Sequence, residues 1–78
     1  MIKLEQIRSK LQNAIKASGM TQMELARRLG VHYSVISQYL SGRSMPALDT
    51  FANICAILDL DTDDMLCISE YNNTTARK

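Results

Sequence analysis

Residues 21–42 read TQMELARRLGVHYSVISQYLSG, and this stretch decides the fold. Leu25, Ala26 and Leu29 before Gly30, and Ile36, Tyr39 and Leu40 after it, recur at helical spacing. Two short helices therefore flank a glycine suited to a left-handed turn. Ala26 and Gly30 are small where the two helices approach. Thr21 is a capping residue with Glu24 three positions on, the pattern of a capping box, and Met20 and Leu25 take the staple positions around it. The spacing predicts helices over 22–29 and 33–40, with Gly42 closing the second. Val31, Ile36 and Tyr39 lean that helix on its neighbour, while His32, Tyr33, Ser34, Ser37 and Gln38 form an uncharged polar row facing outward.

Working outward, Leu4, Ile7, Leu11, Ala14 and Ile15 predict an amphipathic first helix over 3–17. Lys3, Arg8, Lys10 and Lys16 lie on or near its polar face, and Gly19 ends it. Residues 41–46, SGRSMP, form a loop. Leu48, Phe51, Ile54, Cys55 and Leu58 mark the inner face of a fourth helix over 47–58. Asp61 caps a short fifth helix over 62–67, with Asp63 and Asp64 favourably placed in its first turn. The reading is an all-α, compact five-helix bundle. Residues 1–68 make one domain, and the polar, aperiodic residues 69–78 are expected to form a frayed tail.

Seventy-eight residues leave no room for a second domain. The net charge of +1 hides an asymmetry. Residues 1–45 carry seven Lys or Arg against Glu5 and Glu24, whereas residues 46–78 carry six acidic residues against Arg77 and Lys78. One half can face a polyanion while the other faces away. Cys55 and Cys67 are too few for a disulfide framework, and His32 is too distant in sequence to join them in a metal site. Both read as reduced thiols, which points to the cytoplasm. No run has signal-peptide or membrane-spanning character. The acidic run Asp59, Asp61, Asp63, Asp64 lacks the glycine and terminal glutamate of a calcium loop. With no nucleophile–base pair, paired carboxylates or phosphate-cradling glycine loop, the chain reads as a non-enzyme without cofactor or metal.

Several segments together carry a resemblance: Met20-Thr21-Gln22, Leu25-Ala26-Arg27-Arg28-Leu29-Gly30-Val31, Ile36-Ser37, Ser41-Gly42-Arg43 and Pro46-Ala47-Leu48, followed by Phe51, Ile54, Cys55, Leu58 and Leu60. In these the chain resembles the Cro and phage-repressor type, Xre-like helix–turn–helix family over residues 4–66. The resemblance implies a lambda-repressor-like domain whose second and third helices form the DNA-binding motif. It also implies a homodimer reading two half-sites roughly 34 Å apart. Two departures stand out. Asp59 replaces the glycine usual after the fourth helix. The recognition helix lacks the Lys or Arg often found near Gln38, which argues against strong guanine-directed readout from it.

On this reading Tyr33, Ser34, Ser37 and Gln38 contact base edges in the major groove of double-stranded DNA. Gln38 can pair bidentately with adenine, and Tyr33 can meet a thymine methyl group or donate its hydroxyl. Gln22, at a family phosphate anchor, contacts the backbone and can also brace the recognition helix. His32 reads as a neutral cap that joins the backbone-contacting set, together with Lys16, Ser41, Arg43 and Ser44. The backbone N–H groups of the 41–44 loop are expected to help grip the sugar–phosphate chain. Arg27 and Arg28 read as a solvated face. Ile57, Leu60, Met65, Leu66 and Ile68 are the candidate dimer surface; the alternative is packing of the fifth helix on its own core, which takes at least Leu60 and one of Met65 or Leu66. The function implied is a transcriptional regulator that represses by occluding a promoter. Two alternatives stay open: an antitoxin carrying a second surface for a toxin, and a protein-interaction module that has lost DNA.

Overall fold

The computed structural model describes residues 1–69, so the tail expected over 69–78 lies, Ser69 apart, outside the described residues. Among the described residues five helices are delimited in order: α1 Leu4–Ala17, α2 Gln22–Leu29, α3 Tyr33–Ser41, α4 Leu48–Leu58 and α5 Thr62–Met65. There are no strands among the described residues. Leu11 and Ile15 of α1, Leu25 and Ala26 of α2, Ile36 and Tyr39 of α3, Phe51, Ile54 and Cys55 of α4, and Met65 of α5 form one buried cluster. Leu11, Leu25, Ile36 and Ile54, one from each of the first four helices, are the largest side chains sealed inside it.

Three of the helices end by one device. Gly30 takes φ 76°, and the Val31 N–H returns to Ala26 O at 3.0 Å. Gly42 takes φ 83°, with Arg43 N–H on Gln38 O at 3.0 Å. Asp59 takes φ 55°, with Leu60 N–H on Cys55 O at 2.8 Å. Each is the six-to-one closure that a left-handed residue permits. Asp59 occupies the glycine position without changing the fold, but its Cβ carries a steric penalty there. Asp59→Gly is therefore expected to stabilise the domain by about 0.5–1 kcal/mol, read as a higher urea midpoint at unchanged slope.

Four expectations are corrected. Leu4 and Leu48 carry the helical period but are 56% and 86% exposed, because each sits in a first turn that no neighbouring helix covers. The α2 capping box forms by half: Thr21 Oγ1 accepts from Glu24 N at 3.0 Å, while the Glu24 carboxylate accepts from Arg27 and, at 2.8 Å, from Arg28. Two charge-assisted bonds outcompete one bond to a backbone N–H. Helix α5 stops at Met65 rather than Cys67, because Cys67 adopts φ 65°, outside helical space. Met65, placed on the dimer surface by its sequence position, is only 3% exposed and belongs to the core.

Candidate nucleic-acid interface

The α2–α3 unit presents one continuous polar face. Ser34, Ser37, Gln38 and Ser41 stand at three- and four-residue spacing, so they share a side of α3. With Arg43 they line an open depression of about 300 Å³. Ile36 and Tyr39 occupy the opposite side and are buried. Val35 is half-buried against the core, which explains why it does not join the outward row. Burial pushes the Tyr39 phenol above its ordinary pKa, reinforced by the nearby Asp49 carboxylate, and burial likewise raises the Cys55 thiol. Both side chains belong to the buried cluster.

Tyr33 lies beside this depression rather than in its lining. It is 51% exposed, and its ring pairs with that of His32 at a centroid distance of 4.8 Å. His32 caps α3: its Nδ1 accepts from Ser34 N at 3.2 Å and lies 2.9 Å from Ser34 Oγ. A backbone N–H can only donate, so Nδ1 is the acceptor and the neutral ring carries its proton on Nε2. That Nε2–H is left as a donor on an exposed ring.

The polar row is partly spoken for. Ser37 Oγ donates to Gln22 Oε1 at 2.6 Å, which ties the start of α2 to the middle of α3. Gln22 therefore braces the exposed helix and keeps its Nε2 donors. It stands at an N-terminus whose first N–H groups precede the first helical bond, Leu25 N to Thr21 O at 3.0 Å. Such an end favours an anion. Ser37 in turn has spent its proton and offers lone pairs. Ser41 Oγ donates to Gln38 O at 3.1 Å, so it reaches an anion only by rotating away from that carbonyl.

The loop after α3 corrects one expectation. The Gly42 N–H goes to Tyr39 O, and the Arg43 and Ser44 N–H groups both go to Gln38 O, at 3.0 and 3.4 Å. Closing the helix consumes these donors, so the side chains of Arg43 and Ser44 are what the loop has to offer. Arg43 is exposed, and Ser44 is half-buried. Lys16 is exposed in the last turn of α1 and is not among the residues lining the depression. Arg27 and Arg28, paired with Glu24, form the solvated face expected of them.

Sequence reading missed Gln12. Its Nε2 donates to Leu40 O at 3.0 Å and to Tyr39 O at 3.4 Å, so α1 caps the carbonyl end of α3. Nothing in the local pattern marks it, because the contact spans 28 residues. Helix α3 is thereby held at both ends and its middle: by its own cap, by Gln22 and by Gln12.

Among the described residues no cluster of His, Cys, Asp or Glu is arranged to hold a metal ion. No helix among them is long and apolar enough to cross a membrane. Comparison with curated proteins and with solved structures returned no match. A family model described as helix–turn–helix matches residues 11–65, which span the motif, the loop and α4 through α5. With that match over most of the chain, and a braced two-helix unit displaying a polar row, the protein belongs to the Cro/C1-type, Xre-like helix–turn–helix family of DNA-binding regulators.

Proposed function

We propose that this protein binds double-stranded DNA sequence-specifically, with α3 in the major groove, and represses transcription by occluding a promoter. The observation that carries the reading is the single open face on which Ser34, Ser37, Gln38, Ser41 and Arg43 converge. Bases are read by Tyr33, Ser34, Ser37 and Gln38. Ser37, with its proton on Gln22, acts as an acceptor, matching a cytosine or adenine amino group. Gln38 carries both donor and acceptor and matches the adenine edge. The backbone is held by the Gln22 amide, the His32 Nε2–H, Lys16, Ser41, Arg43 and Ser44. A helix rigidified before it meets DNA loses little conformational freedom on docking.

The partner is a second copy. With Met65 in the core, the remaining surface candidates are Ile57, Leu60, Leu66 and Ile68, all half-buried around α4 and α5. A two-fold pair built there would present two α3 helices to successive turns of the groove. Selection of bound duplexes from a random pool, at two salt concentrations, tests the whole reading. The expected product is a two-fold symmetric site with half-sites roughly 34 Å apart, enriched more strongly at low salt. A pool that shows no salt-dependent enrichment would overturn it.

A further inference from the structure

Arg8 lies in α1, on the side that meets the end of α3. Its Cδ is 3.6 Å from the point that a Cβ on Gly42 would occupy, and the Gln12 amide nitrogen is 3.7 Å from the same point. Gln12 uses that placement to bond Leu40 O and Tyr39 O. Arg8 bonds nothing there. Its Nε is enclosed by protein and, among the described residues, is the buried side-chain nitrogen left without a hydrogen-bond partner. Two carboxylates of the bundle are held by other cations: Glu24 by Arg27 and Arg28, and Asp64 by Lys10.

An unpartnered guanidinium is a strong demand for an anion. It stays charged at any accessible pH, so deprotonation gives no relief. Its donors form a planar fork that fits a phosphate. The enclosed Nε is out of reach of an outside oxygen; the two Nη groups, which are not enclosed, are the donors left to hold one. The stem of Arg8 rests on Gly42, and the next residue in the chain is Arg43, which lines the exposed depression. The Arg8 stem thus meets the chain at the residue before Arg43, at a corner on the edge of the depression rather than in its lining. The helix-closing bonds have removed the backbone donors from that corner, so its pull on an anion comes from side chains.

We propose that Arg8 is a further backbone-contacting residue: a phosphodiester group of the duplex accepts from its Nη groups near the corner where α3 gives way to Arg43. The inference rests on the DNA-binding reading above and extends the contact surface to α1.

Arg8→Met keeps the unbranched stem against Gly42 and removes the charge. Affinity for the selected duplex, measured across a salt series, is expected to fall roughly eightfold at 0.1 M salt, and the slope of log K against log salt to drop by about one. Base preference in a repeated selection should not change, and the melting temperature of the free protein should not fall. Arg8→Lys, which restores a cation, should recover the slope. Arg8→Gln carries the same expectation as Arg8→Met and decides the matter if that variant does not fold. A wild-type slope in the neutral variants, in an assay where Arg43→Ala loses about one, overturns the role of Arg8 and leaves DNA binding standing. A wild-type protein with no salt-dependent binding overturns both.

Discussion

Ile36→Ala is expected to cost about 2–5 kcal/mol of folding stability, a large part of what a chain of this size possesses. Domains carry roughly 0.05–0.15 kcal/mol per residue, and this one has 78 residues. Ile36 is 0% exposed, and it lies on the inner side of α3, opposite Ser34, Ser37 and Gln38. Truncation removes its transfer free energy and leaves a cavity beneath α3. The neighbours that would have to collapse into that space include Leu11, Leu25 and Ile54, each itself sealed on all sides. Urea unfolding should show a lower midpoint at unchanged slope. Duplex affinity should then fall in proportion to the folded fraction, with base preference retained in what remains folded. A loss below about 1 kcal/mol would mean that α3 is not seated as described.

The same residue shows how far the sequence speaks. Ile36 was legible as core because the punctuation around it is strong: Gly30 before, Gly42 after, and apolar residues at three- and four-residue intervals between. Thr21, Asp61 and Pro46 fixed other boundaries by equally local chemistry. The outward row 34, 37 and 38 followed from the same period, since one face of a helix implies the other. What was not legible depends on the neighbours in space. Leu4 and Leu48 fit the period, yet no other helix extends over their first turns. Glu24 had two possible uses, and only the reach of the Arg27 and Arg28 side chains decides between them. The sequence leaves the 42–44 backbone N–H groups open to an anion, but the closure of α3 takes them all. Gln12 and Arg8 act on α3 from a different helix, so the motif itself holds no trace of them. The candidate site was therefore readable where one helix makes it, and unreadable where tertiary packing does.

Gln38→Ala is expected to lower affinity for the preferred duplex by about 1–3 kcal/mol, without altering the salt slope. Gln38 is exposed, and its backbone is tightly fixed, since its carbonyl accepts from Arg43 N, Ser44 N and Ser41 Oγ. A free amide on a pinned Cα is the arrangement that reads a base edge with little entropy loss. Of the residues lining this depression it alone offers a neutral donor and acceptor side by side, because Ser34 Oγ lies 2.9 Å from the accepting His32 Nδ1 and Ser37 and Ser41 have committed their protons. The effect must therefore fall on particular base pairs: repeated selection with the variant should lose preference at two symmetry-related positions and keep the rest. Arg43→Ala is the counterpart, weakening all duplexes alike and reducing the slope by about one. Gln38→Glu separates the two kinds of contact further. It removes both donors of the amide, so preference should move from adenine toward cytosine, whose amino group a carboxylate can accept. Its added negative charge should also weaken binding to every sequence at low salt. If Gln38→Ala instead weakens all sequences equally and Gln38→Glu shifts no position, the side chain faces phosphate rather than bases, and α3 enters the groove in another orientation.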